Sequence, residues 1–145
     1  MLIDGLSNAG SMPALELAMR YAARRQDVIA HNIANLDTPG FVAMDVRPAE
    51  FQRVLGEAID RRRAGGNAGG LEWDETREMR RGADGGLRLE PRTPAGGVLF
   101  HDRGNRDVER QMQDLAENAG MFRLASEMMR GRVGMMRNAI AERVA

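Results

Sequence analysis

The sequence contains no cysteine, which rules out disulfides and thiolate metal sites. It contains no lysine either. All 21 basic residues are arginine, and 21 acidic residues bring the formal net charge to zero. A chain without a basic excess lacks the charge by which nucleic-acid binders neutralise phosphates. The run Arg61-Arg62-Arg63 is balanced by nearby acids and reads as a solvated face. Without lysine there is no GxxxxGK[ST] phosphate loop. Aromatics make up 4% of the chain, too few for a large β-sandwich. No apolar run approaches the roughly 18 residues of a membrane span. No basic segment leads into an apolar stretch at the start, so no ordinary secretory signal is predicted.

Chemistry-bearing residues are equally sparse. His31 and His101 are the only histidines. His101 stands beside Asp102, but nothing nearby in sequence supplies a nucleophile or further ligands, and HExxH spacing is absent. Ser7, Ser11 and Ser126 lack a G-x-S-x-G context. The sequence therefore predicts no catalytic, cofactor-binding or metal-binding residues, and an enzyme is the disfavoured class.

What is present is helical periodicity at both ends of a chain whose 145 residues favour one domain. Ser11, Met12 and Pro13 form a helix start, with serine as cap and proline in the first turn. Met12, Leu15, Met19, Ala22, Gln26, Ile29, Ile33 and Leu36 then alternate steps of three and four. This is a heptad seam with one polar member, Gln26, and it predicts a helix over 11–36. A second seam follows over 107–143, with Asp107 as its cap. It runs Val108, Met112, Leu115, Ala119, Phe122, Ser126, Met129, Val133, Met136 and Ile140, with Ser126 its polar member. Leu124, Ala125, Met128 and Met135 widen the apolar surface, as a helix touching several neighbours would need.

The middle, 37–106, has a different character. Pro48 to Ile59 reads as a short helix, and residues 64–70 read as a glycine-rich linker. A breaker at 82–86 precedes short strands expected at 87–90 and 98–100. Little core is expected from this region alone. The predicted architecture is mainly α: two long terminal helices packed as an antiparallel coiled coil around a glycine-rich, partly β or irregular middle.

The most distinctive segment is His31-Asn32-Ile33-Ala34-Asn35-Leu36-Asp37-Thr38-Pro39-Gly40-Phe41. Physically it is a helix with two exposed asparagines running into a sharp turn. The pattern Asn32, Asn35, Thr38, Pro39, Gly40, Phe41 resembles the N-terminal signature of the flagellar rod and hook proteins. The continuation through Val42, Ala43, Met44, Asp45 and Phe51 is similar to proximal rod members of that family. Residues 102–112 resemble the family's Gly-Asn-Asn-Val-Asp and Glu-Met pattern, and Glu117, Asn118 and Phe122 fit the positions beyond it. Arg106 and Gln111 depart from the pattern, Gln111 standing where the family has Glu.

The resemblance implies a structural subunit of the proximal rod in the basal body, exported by the flagellar type III apparatus without a cleaved signal. Its partners would be itself, the other proximal rod proteins, and the basal adaptor to the inner-membrane ring. Helix contacts would carry torque and enclose the export channel in the periplasm. Another axial protein of the family, a non-flagellar coiled-coil protein, and an enzyme completed by a partner are the alternatives.

Overall fold

The computed structural model describes residues 10–65, 70–93 and 105–142, and is mainly helical with a small strand region in the middle. The strand expected at 98–100 and the His101–Asp102 pair lie outside the described residues. Helix α1 spans Met12–Ala34. Ser11 precedes it, but its hydroxyl makes no capping bond; its carbonyl accepts from the Leu15 N–H at 3.1 Å, and Pro13 fills the first turn. The helix ends because Thr38, Pro39 and Gly40 turn the chain, with Gly40 at φ +79°, a conformation that favours glycine.

Helix α2 spans Pro48–Ala64, five residues longer at its end than the pattern suggested. Pro48 opens it, where a missing N–H costs nothing. Arg61, Arg62 and Arg63 lie in its last turn, near the negative end of its dipole. Arg62 is buried there, so the triplet is not wholly a solvated face. Strands β1 (Met79–Arg81) and β2 (Leu87–Leu89) pair antiparallel through the glycine-rich turn at 82–86. The partner of the 87–90 strand is thus an upstream segment that the sequence reading missed. Helix α3 spans Asn105–Glu142.

The middle supplies much of the core, contrary to expectation. Val46, Phe51, Val54, Ala58, Trp73, Met79 and Leu87 are all buried, and they pack with Leu15, Leu17, Ala18 and Tyr21 of α1. The Tyr21 and Phe51 rings stack with centroids 3.9 Å apart and planes 8° from parallel. The Tyr21 hydroxyl donates to the Val46 carbonyl at 2.9 Å, so the one polar atom on this contact is satisfied. Glu78, buried beside β1, accepts from the Arg47 N–H at 2.9 Å and from Arg47 Nε at 2.8 Å, tying the start of α2 to the hairpin.

Helices α1 and α3 make the most extensive contact between elements. Cross-links pair Asn32 with Gln111, Arg25 with Asp114, Gln26 with Asn118, and Met19 with Ser126. From Met19–Ser126 at one end to Asn32–Gln111 at the other, numbers fall along α3 as they rise along α1, so the two run in opposite senses. The contact face of α3 is not the apolar seam, however. Gln111, Asn118 and Ala125 are its buried positions, each one residue before the seam members Met112, Ala119 and Ser126. One residue is a rotation of about 100° around a helix.

Tyr21 provides a check on this packing. Burial pushes its phenol well above the ordinary 10.0, and the nearby Arg25 charge only partly offsets this. Below pH 10 the phenol is neutral folded or unfolded, and its contribution to stability is fully present. Above that, only the unfolded chain ionises, so stability falls as pH rises further. Tyr21 is the only tyrosine, so phenolate absorbance reports it alone. The native chain is expected to show almost no phenolate at a pH where the urea-unfolded chain is half ionised. Coincident titrations would mean that the Tyr21–Phe51 stack is open.

Candidate assembly interface

The helix pair is joined through polar groups. Asn32 is 1% exposed, so every unmade hydrogen bond on its amide would be costly. Its Nδ2 donates to the Met44 carbonyl at 2.7 Å and to Gln111 Oε1 at 3.2 Å. Its Oδ1 accepts from the Met44 N–H at 3.1 Å. One side chain therefore links α1, the strand-like return at 41–47, and α3. The sequence reading placed Asn32 on the surface, and burial corrects that. Gln111 performs with an uncharged amide oxygen what a carboxylate oxygen at that position would do.

Two turns earlier on the same face lies Arg25, whose side chain is 3% exposed. Its Nε and Nη2 fork onto the two carboxylate oxygens of Asp45 at 3.0 and 2.8 Å, and Nη2 also reaches Asp114 at 3.1 Å. Burial opposes the guanidinium charge. The hydrogen bonds and charge of Asp45, with Asp114 behind, outweigh it and hold Arg25 above its usual value. Asn118 completes the row: its Nδ2 donates to the Ala22 carbonyl at 2.8 Å and to Gln26 Oε1 at 2.9 Å.

The turn signature has its own geometry. Asn35 Nδ2 donates back to the His31 carbonyl at 2.8 Å. The Thr38 N–H donates to the Asn35 carbonyl at 3.0 Å, and the Phe41 N–H to the Thr38 carbonyl at 3.1 Å. Thr38, Pro39 and Gly40 are exposed, and Phe41 is half-buried with its ring edge-on to His31, centroids 5.7 Å apart. The motif sets the angle at which the chain returns to Asn32.

The expected packing residues divide into two groups. Leu15 and Ile29 are buried, while Met12, Met19, Ile33 and Leu36 are half-buried. In α3, Leu115, Met129, Val133 and Met136 are half-buried. Val108, Met112, Phe122 and Ile140 are exposed, Met112 at 45%. On the opposite flank Leu124, Met128 and Met135 are exposed too, Leu124 at 59%. With about 100° per residue, these fall on two flanks either side of the face that meets α1. Apolar-only counting missed Arg25, Asn32, Gln111 and Asn118. The seven-residue spacing of Gln111, Asn118 and Ala125, and of Arg25 and Asn32, was the signal available.

The helix pair is latched by polar bonds, and its longer member is apolar on two exposed flanks. Residues 14–41 match the family model described as flagella basal body rod protein. The chain is 30% identical over 122 residues to flagellar basal body rod protein FlgB of Proteus mirabilis, covering 81% of this chain and 83% of that one. It is 27% identical over 133 residues to FlgB of Bacillus subtilis (strain 168), covering 91% and 94%. Against FlgB of Escherichia coli (strain K12) the identity is 28% over 125 residues, covering 85% and 87%. The chain belongs to the flagellar basal body rod protein FlgB family. Among the described residues no helix is long and apolar enough to cross a membrane.

The buried fork is testable by a double-mutant cycle. Arg25→Ala and Asp45→Ala are each expected to cost about 3 kcal/mol, since each strands a desolvated charge. The double variant is expected to cost clearly less than their sum. Urea unfolding followed by the fluorescence of Trp73, the only tryptophan, measures all three. Additive losses would show that the two side chains do not act as a pair.

Proposed function

We propose that this chain is a structural subunit of the flagellar basal-body rod and works by helix packing, without catalysis. The observation that carries this is the pair of uncovered apolar flanks on α3. Exposed apolar side chains are ordinary when scattered, but aligned along one helix they mark a surface meant to be covered. Val108, Met112 and Phe122 form one flank, and Leu124, Met128 and Met135 the other. Neighbouring subunits would dry both flanks, and coiled-coil packing of the α3 seam belongs to that assembled state.

In this reading the polar latch orients the subunit and the apolar flanks join subunits together. The assembly transmits torque through its helix contacts and encloses the export channel. Its partners are further copies, the other proximal rod proteins, and the basal adaptor on the inner-membrane ring. The flagellar type III apparatus delivers the chain to the periplasmic side. The family membership and the named rod proteins among its relatives support this reading.

Leu124→Asp and Met128→Asp test it. Both side chains are exposed in the subunit, so the folded monomer is expected to keep its helix content. In a dry subunit contact an unpaired charge costs several kcal/mol. Complementation of a strain lacking the protein is expected to give no swimming and no incorporation into isolated rods. Normal swimming by both variants would remove α3's flank from the assembly.

A further inference from the structure

The seam of threes and fours along α3 is a helix-packing row that the subunit uses on α1 only in part, at Ser126 and Met129. The part of it from Val108 to Phe122 is exposed at Val108, Met112 and Phe122, and it is exposed again at Ile140. On its outer border stand Arg123, Arg130 and Arg137, seven residues apart and all exposed. None of the ion pairs among the described residues involves them. Glu127 lies four residues from Arg123 and three from Arg130, yet it too is in none of these pairs. Some surface arginines are matched within the chain, Arg20 with Glu16, Arg53 with Glu57 and Arg61 with Asp74; what sets Arg123, Arg130 and Arg137 apart is their heptad spacing along an apolar seam.

An apolar seam edged by cations at heptad spacing selects a helix with anions at the facing positions. We propose that this edge of α3 docks an acidic amphipathic helix supplied by a different protein. A second copy of this chain is a poor occupant. Seam against seam brings two arginine rows together. Glu16 on α1, and Glu50 and Glu57 seven residues apart on α2, are already held by their own arginines. The inference rests on the reading of α3's flanks as subunit contacts, and adds the charge of one neighbour.

The chain has no cysteine, so A119C, at an exposed seam position on the same side as the arginine row, places a single fluorophore in the seam. The probe is a synthetic helix with a leucine seam flanked by glutamates. Its control is the same peptide with lysines. The labelled full chain is expected to bind the glutamate peptide and not the lysine peptide, with affinity falling about tenfold from low to high salt. R123E/R130E/R137E is expected to reverse the preference. R123Q/R130Q/R137Q, the milder change, is expected to abolish it, with circular dichroism confirming that the helices persist. Equal binding of both peptides, or glutamate-peptide binding unchanged in the glutamine variant, overturns the proposal. So does binding to anionic lipid vesicles in place of the peptide, or rapid homodimer disulfide formation by unlabelled A119C. If peptide selection fails while Leu124→Asp still blocks incorporation, the acidic partner falls and the subunit reading stands. If Leu124→Asp incorporates normally, the subunit reading itself falls.

Discussion

A buried amide decides where three parts of this chain meet. Asn32 on α1 spends its hydrogen bonds on Met44 and Gln111, and the return segment and α3 have little freedom once those bonds are made. Arg25 repeats the arrangement two turns away, with a charge that needs both Asp45 and Asp114 near it. Apolar contacts slide at little cost, because they are not directional. Buried polar groups do not, since a shift of one residue would leave donors without acceptors in a dry interior. The latch thus fixes the register of α3 on α1, and that register determines which side chains remain outside.

The same requirement explains what could and could not be read from the sequence. Both terminal helices were legible because their apolar residues recur with helical period, and the stop at Thr38-Pro39-Gly40 because proline and glycine act locally. The rotation of α3 was not, because counting apolar residues treats Gln111 and Asn118 as surface. Their burial is set by Asn32 and Gln26, far away in sequence. A seven-residue repeat also drifts about 20° per heptad around a straight helix. A seam that lies outside at Met112 therefore approaches α1 by Met129, which is half-buried. The core of the middle escaped notice for a related reason. Val46 and Met79 show no period, and α1 supplies the surface on which they gather.

Division of labour follows from this chemistry. Inside the subunit, α1 meets the middle through large apolar rings and meets α3 partly through amides and ions. Outside it, α3 offers methionine, leucine and phenylalanine. Methionine adapts its shape to a neighbour more readily than a branched side chain does. A surface of this kind tolerates neighbours of several shapes, and the polar joint behind it keeps the helix from rotating as they differ.

Helix α3 also outruns its support. It has 38 residues against 23 in α1, roughly 57 Å against 35 Å at 1.5 Å per residue. The pairing of 19 with 126 and 32 with 111 carries α1's first turn to about residue 132, so some ten residues, ~15 Å, extend past it. Relative to the described part of α1, such an extension is a cantilever. A sideways push on Met135 or Ile140 is resisted at the clamp formed by Asn118, Ala125 and Ser126, and the bending moment there grows with the length of the free arm. In the proposed rod, compliance would be set by how tightly each arm's tip is gripped by the next molecule, since the root is held by the polar latch.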